Sequence, residues 1–252
     1  MLKDFRIILD LGHSAIKVAL FRGIQLISSS SFSLDKLPEI FVYIENELFP
    51  YTRLIGLGWV NYPKYGEFLA LVKSSWKIPI VNLADNKTEY IPVNYEPPES
   101  LGLDRIANAY AALELFNPPI VVADIGTAVT VDLITDDGFM GGYILPGPKI
   151  LTECYMNITS QKISIKIPNE LPVYLPQSSQ EALSFGALIT AYGGLKESLD
   201  IIRESIKYES LIFTGGFAGY FHSFFEESMV FPNLTLEGYN QMLTWHIEAD
   251  TE

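Results

Sequence analysis

The same short pattern occurs twice in this chain, and it constrains the fold more than any other feature. The first copy is IILDLGHSAIKVALF at 7–21, and the second is VVADIGTAVTVDLI at 121–134. Each has an apolar run, an aspartate, a glycine, small polar residues and a second apolar run, which predicts strand, tight turn and strand. Backbone N–H groups and a carboxylate meet at such turns, an arrangement that suits phosphate binding. We therefore expect a duplicated domain with a nucleotide between its halves.

The bulk composition agrees with a folded protein that does not bind nucleic acid. Among 252 residues, 48% are hydrophobic and 19% are charged, which argues against disorder. The net charge of −13 opposes binding to the phosphates of DNA or RNA. Cys154 is the single cysteine, so an internal disulfide is excluded and a reducing compartment is expected. The short N-terminal apolar run is interrupted by Asp10, and no uncharged stretch reaches the ~20 residues of a membrane helix. We expect a cytoplasmic protein without membrane contact.

Strands and helices alternate along both halves, which predicts an α/β fold with mixed sheets. The apolar residues of 103–116 recur at helical spacing, and Asn117-Pro118-Pro119 ends that helix. Ser178 and Glu181 have the spacing of a capping box, which predicts the start of another helix over about 180–207. Further expected elements are a strand at 25–32, a helix at 37–49, a strand at 54–57, and loop with short strands over 79–98.

Further motifs contain residues suited to phosphoryl transfer. Asp104 and Arg105, in Gly102-Leu103-Asp104-Arg105, open a predicted helix. The aspartate there can simply be favoured by the helix dipole, or it can accept a proton while the arginine holds an anion. The other motifs are Gly141–Gly147, which we expect to be a flexible, turn-rich connection, Thr214-Gly215-Gly216-Phe217-Ala218, and the second aspartate turn itself. Each alone is more typical of a turn than of a site, but together they favour a site.

In their order and spacing these motifs resemble the type III pantothenate kinases of the sugar kinase, heat-shock ATPase and actin superfamily. The resemblance runs from Asp10 to about Ala218. It implies two duplicated actin-like (ribonuclease H-like) domains with mixed sheets flanked by helices, which we place at 1–116 and 117–252. It also implies ATP-dependent phosphorylation of pantothenate, the first step toward coenzyme A. The expected cofactors are Mg²⁺ with ATP and a monovalent cation, K⁺ or NH₄⁺, and the expected assembly is a homodimer with its active site near the subunit interface.

The resemblance also implies roles for individual residues. Asp104 is the general base, and Asp124 holds the monovalent cation. The substrate-binding residues are Tyr95, Gly102, Leu103, Asp104, Arg105 and Ser179. The ATP-binding residues are Asp10, Leu11, Gly12, His13, Ser14, Ala15, Ile16, Lys17 and Thr127.

Some positions depart from the family pattern, and other functions remain open. His13-Ser14 replaces the usual Asn-Thr, Ser178-Ser179 replaces Asn-Thr before the late helix, and Gly56-Leu57-Gly58-Trp59 replaces a serine-rich strand end. One alternative is a kinase of the same superfamily that acts on another small hydroxylated substrate. The other is a non-catalytic accessory or regulatory relative, which an intact Asp104 disfavours.

Overall fold

The computed structural model describes residues 5–59, 65–158 and 174–249. Contacts divide the chain into two compact units, Met1–Glu114 with Leu234–Glu252, and Leu115–Asn233. The helices of the described residues are α1 Leu37–Tyr43, α2 Tyr65–Ser75, α3 Leu103–Leu115, α4 Pro148–Ile158, α5 Ser179–Ser205, α6 Ala218–His222 and α7 Leu234–Ala249. None of these helices is both long and apolar enough to cross a membrane.

The described residues of the first unit form a mixed sheet with the strand order β3-β2-β1-β4-β5. Its strands are β1 Phe5–Leu11, β2 Ala15–Arg22, β3 Gln25–Ser33, β4 Leu54–Trp59 and β5 Ile80–Asn82. The first three form an antiparallel meander, while β4 runs parallel to β1 and β5 runs parallel to β4. Alternate strand residues such as Ile7, Leu9 and Leu11 enter a core that α1 and α2 cover on the same face.

The second unit repeats this topology with the order β10-β9-β6-β7-β8. Its strands are β6 Ile120–Ile125, β7 Ala128–Thr135, β8 Gly138–Pro146, β9 Ser210–Thr214 and β10 Ser228–Val230. Again the first three strands form an antiparallel meander, and the last two run parallel to the first. The apolar side of α5 packs on this sheet through residues such as Leu188 and Leu195. The duplication predicted from the two aspartate turns is therefore confirmed.

Gly141–Gly147 does not form the flexible connection that its glycines suggested. Residues up to Pro146 lie in β8, paired with β7 along its length. Leu133 pairs with Gly141 and Ile134 with Phe139, so Met140 is the extra residue of a bulge in β8, and the adjacent Gly141 has a φ of 119°. A side chain at Gly142 would collide with the backbone carbonyl of Val131. The glycines thus serve a β-bulge and close strand packing, which a sequence alone does not distinguish from a loop.

Most of the other predicted elements agree with the structure. The helices expected at 103–116 and 180–207 are α3 and α5, and the strand expected at 25–32 is β3. The helix expected at 37–49 is α1, which continues through a π-helical turn at Ile44–Leu48. Within 79–98, β5 is the short strand and turns follow it.

The C-terminal helix α7 belongs to the first unit, although the predicted boundary at 116/117 assigned it to the second half. It packs on α3 so closely that a Cβ at Gly238 would meet the backbone of Ala107. It also approaches β4, where Gly58 leaves room for the ring of Tyr239 and Gly56 lies against Leu243. The Gly56-Leu57-Gly58 segment therefore has a packing role in the first unit.

Candidate functional site

The first aspartate turn joins β1 to β2. Asp10 and Lys17 are directly opposite each other in the antiparallel register, with 3.9 Å between the Lys17 Nζ and Asp10 Oδ2 atoms. The backbone N–H of Gly12 donates to the carbonyl of Ala15 at 3.1 Å and closes the turn. Asp10 is 6% exposed and His13 at the tip is exposed. A buried carboxylate, an ammonium and turn N–H groups thus lie at one end of this strand pair.

Two of the predicted ATP-binding residues in this turn point their side chains elsewhere. Leu11 and Ile16 are fully buried in the hydrophobic core of the first unit. Only their backbone atoms could contact a nucleotide at this turn. Their apolar side chains hold the strands that carry Asp10 and Lys17.

Gly102 and Asp104 form a close pair at the start of α3. The backbone N–H of Arg105 donates to Asp104 Oδ1 at 2.9 Å, which fixes the carboxylate at the helix N-terminus. A Cβ at Gly102 would lie 2.5 Å from the same oxygen. Glycine at this position therefore leaves the space that the carboxylate occupies, which gives a physical reason for the Gly-x-Asp spacing.

Arg105 and Tyr95, ten positions apart, come together beside this helix start. The Arg105 guanidinium carbon is 5.4 Å from the centroid of the Tyr95 ring, and Nη1 donates to the phenol oxygen at 3.5 Å. Arg105 is 4% exposed, so its charge acts in a partly desolvated environment. A stacked guanidinium held in this way can bind a carboxylate through its planar fork.

Lys87 contacts the segment that leads into this site, and the sequence analysis did not identify it. Its ammonium donates to the backbone carbonyls of Glu99 at 2.5 Å and Leu101 at 2.9 Å. The pKa of Lys87 lies below its ordinary value because burial disfavours the ammonium, an effect that the charges of Glu99 and Asp104 only partly offset. No motif marks this lysine, because the contact joins residues that are twelve to fourteen positions apart through an irregular loop.

The second aspartate turn joins β6 to β7 in the second unit. The backbone N–H of Gly126 donates to the carbonyl of Ala128 at 2.9 Å. Asp124 pairs in register with Thr130 on β7 and with Thr214 on β9. Gly215 has a φ of 89°, and a Cβ there would collide with Asp124 Oδ1. The Thr-Gly-Gly motif predicted to end a strand thus follows β9 and makes room for the second carboxylate.

Thr127 occupies the tip of this second turn. Its backbone carbonyl accepts a hydrogen bond from the N–H of Gly147 at 3.0 Å, so the end of β8 supports the turn. A side chain at Gly147 would collide with the same carbonyl. Glycine is therefore needed where β8 meets the tip that carries Thr127.

The two serines before α5 have different positions. Ser178 is the N-cap: its side-chain oxygen accepts the backbone N–H of Glu181 at 3.2 Å. Glu181 reaches back to the N–H of Gln177, also at 3.2 Å. Ser179 is the first helical residue, and it is exposed. Ser178 thus has a structural role, and Ser179 lies at a surface where a ligand could reach it.

The donor set of the described residues limits which cations could bind. In that part of the chain, no group of three or more His, Cys, Asp or Glu residues could hold a metal ion. Each aspartate turn contributes one carboxylate of its own, Asp10 in the first unit and Asp124 in the second. They fit a cation that takes hard oxygen ligands mainly from phosphates, water or backbone carbonyls, as Mg²⁺ bound to a nucleotide does.

The repeated sheet topology, with an aspartate turn in each unit, defines a class of protein: the duplicated fold shared by actin-like ATPases and sugar kinases. Two examples among the solved structures that share it cover nearly the whole of this chain. One, from Campylobacter jejuni and named for the Baf family of transcriptional activators, has a TM-score of 0.61 at 22% identity, covering 96% of this chain and 99% of that one. The other, a Listeria monocytogenes protein named for N-acetylmannosamine kinase, has a TM-score of 0.54 at 12% identity, covering 96% and 99%.

Within this class, sequence comparison identifies the family. The sequence profile of the type III pantothenate kinases matches residues 6–200, and this chain belongs to that family. A type III pantothenate kinase of Aquifex aeolicus is 28% identical over 220 residues, which are 85% of this chain and 88% of the relative. Another, from Roseiflexus sp., is 26% identical over 91% of this chain and 94% of the relative.

Proposed function

We propose that this chain transfers the γ-phosphoryl group of ATP to the terminal hydroxyl of pantothenate, giving 4′-phosphopantothenate. The observation that carries the proposal is the helix start at Gly102–Arg105, where a fixed carboxylate lies next to a buried guanidinium stacked on Tyr95. Pantothenate has both a hydroxyl group to be activated and a carboxylate to be held. Membership of the family supports the same reaction.

In this proposal Asp104 is the general base, and the neighbouring residues orient the acceptor. Asp104 accepts the proton of the attacking hydroxyl as the phosphoryl group moves in line from ATP to that oxygen. Arg105, with Tyr95 beside it, binds the pantothenate carboxylate, and Ser179 adds a hydrogen bond. Much of the catalytic effect then comes from positioning, because the hydroxyl must reach the γ-phosphate in the correct direction.

The first aspartate turn is the proposed contact with the ATP phosphates. Its N–H groups and Lys17 suit anionic oxygens, and Asp10 provides one hard ligand, which is typical of magnesium sites that also use phosphate oxygens. Mg²⁺ bound there would neutralise phosphate charge. His13 and Ser14 keep hydrogen-bonding groups where the family usually has Asn-Thr. In the second unit, Thr127 is the proposed ATP contact.

Asp124 is the proposed ligand of a monovalent cation, K⁺ or NH₄⁺. Its carboxylate lies over Gly215, near the carbonyl of Ile125, so oxygen atoms are concentrated at this strand end. Carboxylate and carbonyl oxygens are the ligands that hard cations take.

A homodimer in the cytoplasm completes the proposal. Exposed apolar side chains of the second unit, Ile144 on β8 and Ile189 on α5, would be covered by a second copy. The substrate ATP and the exposed thiol of Cys154 are compatible with the cytoplasm.

The test is an assay of ADP release by the purified protein, with Mg-ATP and pantothenate, in buffers with K⁺, with NH₄⁺ or with neither. We expect pantothenate-dependent ADP formation, stimulation by one of the cations, and a product heavier by one phosphoryl group in mass spectrometry. N-acetylmannosamine and glucose serve as control acceptors. ADP release with a sugar but not with pantothenate would establish the alternative superfamily kinase, and release with none would favour the non-catalytic relative.

A further inference from the structure

Lys87 connects the loop after β5 to the segment that leads into α3. Its ammonium donates to the carbonyls of Glu99 and Leu101, the latter directly before Gly102. That segment is already compact: the N–H groups of Ser100 and Leu101 donate to the carbonyls of Pro97 and Pro98, and Leu101 is fully buried. Lys87 therefore anchors a stiff segment, and a displacement of that segment would be passed on to Asp104.

The charge of Lys87 also acts on Asp104. The Asp104 carboxylate favours the charged form of Lys87, against the burial that lowers its pKa. Electrostatic interaction is reciprocal, so the ammonium favours the ionised form of Asp104. Other charged and titratable groups near this helix start are Arg105, whose backbone N–H donates to Asp104, Tyr95 beside the Arg105 guanidinium, and Glu99, whose charge acts on Lys87. Glu99, like Asp104, favours the charged form of Lys87.

We propose that Lys87 is a positioning residue for Asp104: it clamps the carbonyls before Gly102 and supplies a positive charge that keeps the base ionised. This inference rests on the proposed function of Asp104. A lysine that only stabilises the loop would affect folding, whereas this role affects turnover and its dependence on pH. The two consequences are measured separately.

The experiment compares Lys87→Met and Lys87→Gln with the unaltered protein in the pantothenate assay, over a range of pH and at saturating ATP. Misplacing a catalytic group by about 1 Å can lower turnover by about 100-fold, so for Lys87→Met we expect kcat to fall by roughly 10- to 100-fold. The pKa of the acidic limb of kcat/KM should rise by about half a unit or more, because the carboxylate loses a neighbouring cation. Titration of ATP and pantothenate affects every variant equally, so it does not contribute to the difference between their pH profiles.

Lys87→Gln distinguishes the hydrogen bonds of Lys87 from its charge. The glutamine amide can still donate to one of the two carbonyls, but it carries no positive charge. We expect a higher kcat for Lys87→Gln than for Lys87→Met, while the pKa of the acidic limb of kcat/KM stays raised in both. Lys87→Gln also tests the charge effect if Lys87→Met does not fold. Lys87→Arg, which retains the charge, should return the acidic limb to that of the unaltered protein. Lys73→Gln, at an exposed position in the last turn of α2, is the matched control and should change neither quantity.

The outcomes distinguish this inference from the function on which it rests. If the unaltered protein phosphorylates pantothenate and well-folded Lys87→Gln and Lys87→Met keep its acidic limb, Lys87 has no electrostatic role toward Asp104 and the inference is wrong. If the unaltered protein does not phosphorylate pantothenate, the proposed function itself has failed. Thermal melting of each variant shows whether a loss of activity is a loss of folding.

Discussion

Gly102 and Gly215 each stand where a side chain would displace a carboxylate oxygen. The Asp104 carboxylate occupies the space beside Gly102 at the start of α3, and the Asp124 carboxylate occupies the space beside Gly215 after β9. Gly215 has a left-handed backbone as well, so a substitution there is strained on two counts. At the residue scale, these two glycines therefore determine where the carboxylates of Asp104 and Asp124 can lie.

Asp104→Asn distinguishes a general base from a residue that only favours the helix start. Asparagine is nearly isosteric and caps helices about as well as aspartate, so a structural role predicts almost unchanged turnover. A general base contributes roughly 10²- to 10⁴-fold, and we expect kcat to fall within that range. Asp136→Asn, at an exposed position in the β7–β8 turn, is the control. Near-normal turnover of a folded Asp104→Asn protein would exclude the proposed base.

Asp124→Ala should remove the response to monovalent cations together with most of the activity. The reason is that the change deletes the carboxylate oxygens over Gly215. Two measurements check it: the dependence of kcat on K⁺ concentration, and the rise in Tm when K⁺ replaces a bulky organic cation. A ligand that binds the folded state raises its stability, so the unaltered protein should show that rise and the variant should not. A variant still stabilised and activated by K⁺ would place the cation site elsewhere.

At the scale of an element, the start of α5 places adjacent serines in different environments. The Ser178 side chain caps the helix, with Glu181 completing a reciprocal arrangement with the preceding backbone. Ser179 follows with the helix already begun, and its side chain is exposed. We therefore expect a substitution of Ser178 to reduce stability and, under the proposed function, a substitution of Ser179 to weaken substrate binding.

Ser178→Ala should destabilise the protein by about 1 kcal/mol, the usual cost of losing an N-cap, and leave kcat within about twofold. Urea unfolding measures the stability. Ser179→Ala is the matched comparison and should do the reverse, raising the KM for pantothenate with little change in the unfolding midpoint. If Ser178→Ala changes the KM at unaltered stability, the serine roles are assigned in the wrong order.

At the scale of the whole molecule, each unit repeats an antiparallel meander followed by parallel strands. This repetition brings an aspartate turn to the end of the first hairpin in each unit. Each unit also has its own hydrophobic core, centred on β1, β2 and β4 in the first and on β6, β7 and α5 in the second. The second unit additionally exposes Ile189 and Ile144, which are 57% and 62% exposed.

We expect the protein to be a dimer in solution, and Ile189→Glu to shift it toward the monomer. Burying a new charge in an interface without a partner is costly, whereas a charge on a free surface costs little. Ile24→Glu, at a position 84% exposed in the first unit, is the matched control and should remain dimeric. Sedimentation velocity measures both. A dimer that Ile189→Glu does not weaken would place the interface on another surface.

The sequence by itself determined the duplication and the class of the fold, and its motifs predicted which residues form the candidate site. Its periodic signals are local: apolar alternation gives strands, and a cap with helical spacing gives α3 and α5. Only the tertiary structure decided three further points. It showed that Gly141–Gly147 belongs to a bulged strand, that α7 packs with the first unit, and that Lys87 reaches the carbonyls before Gly102. Each depends on contacts between distant positions, and local sequence preferences contain no information about which distant groups will meet.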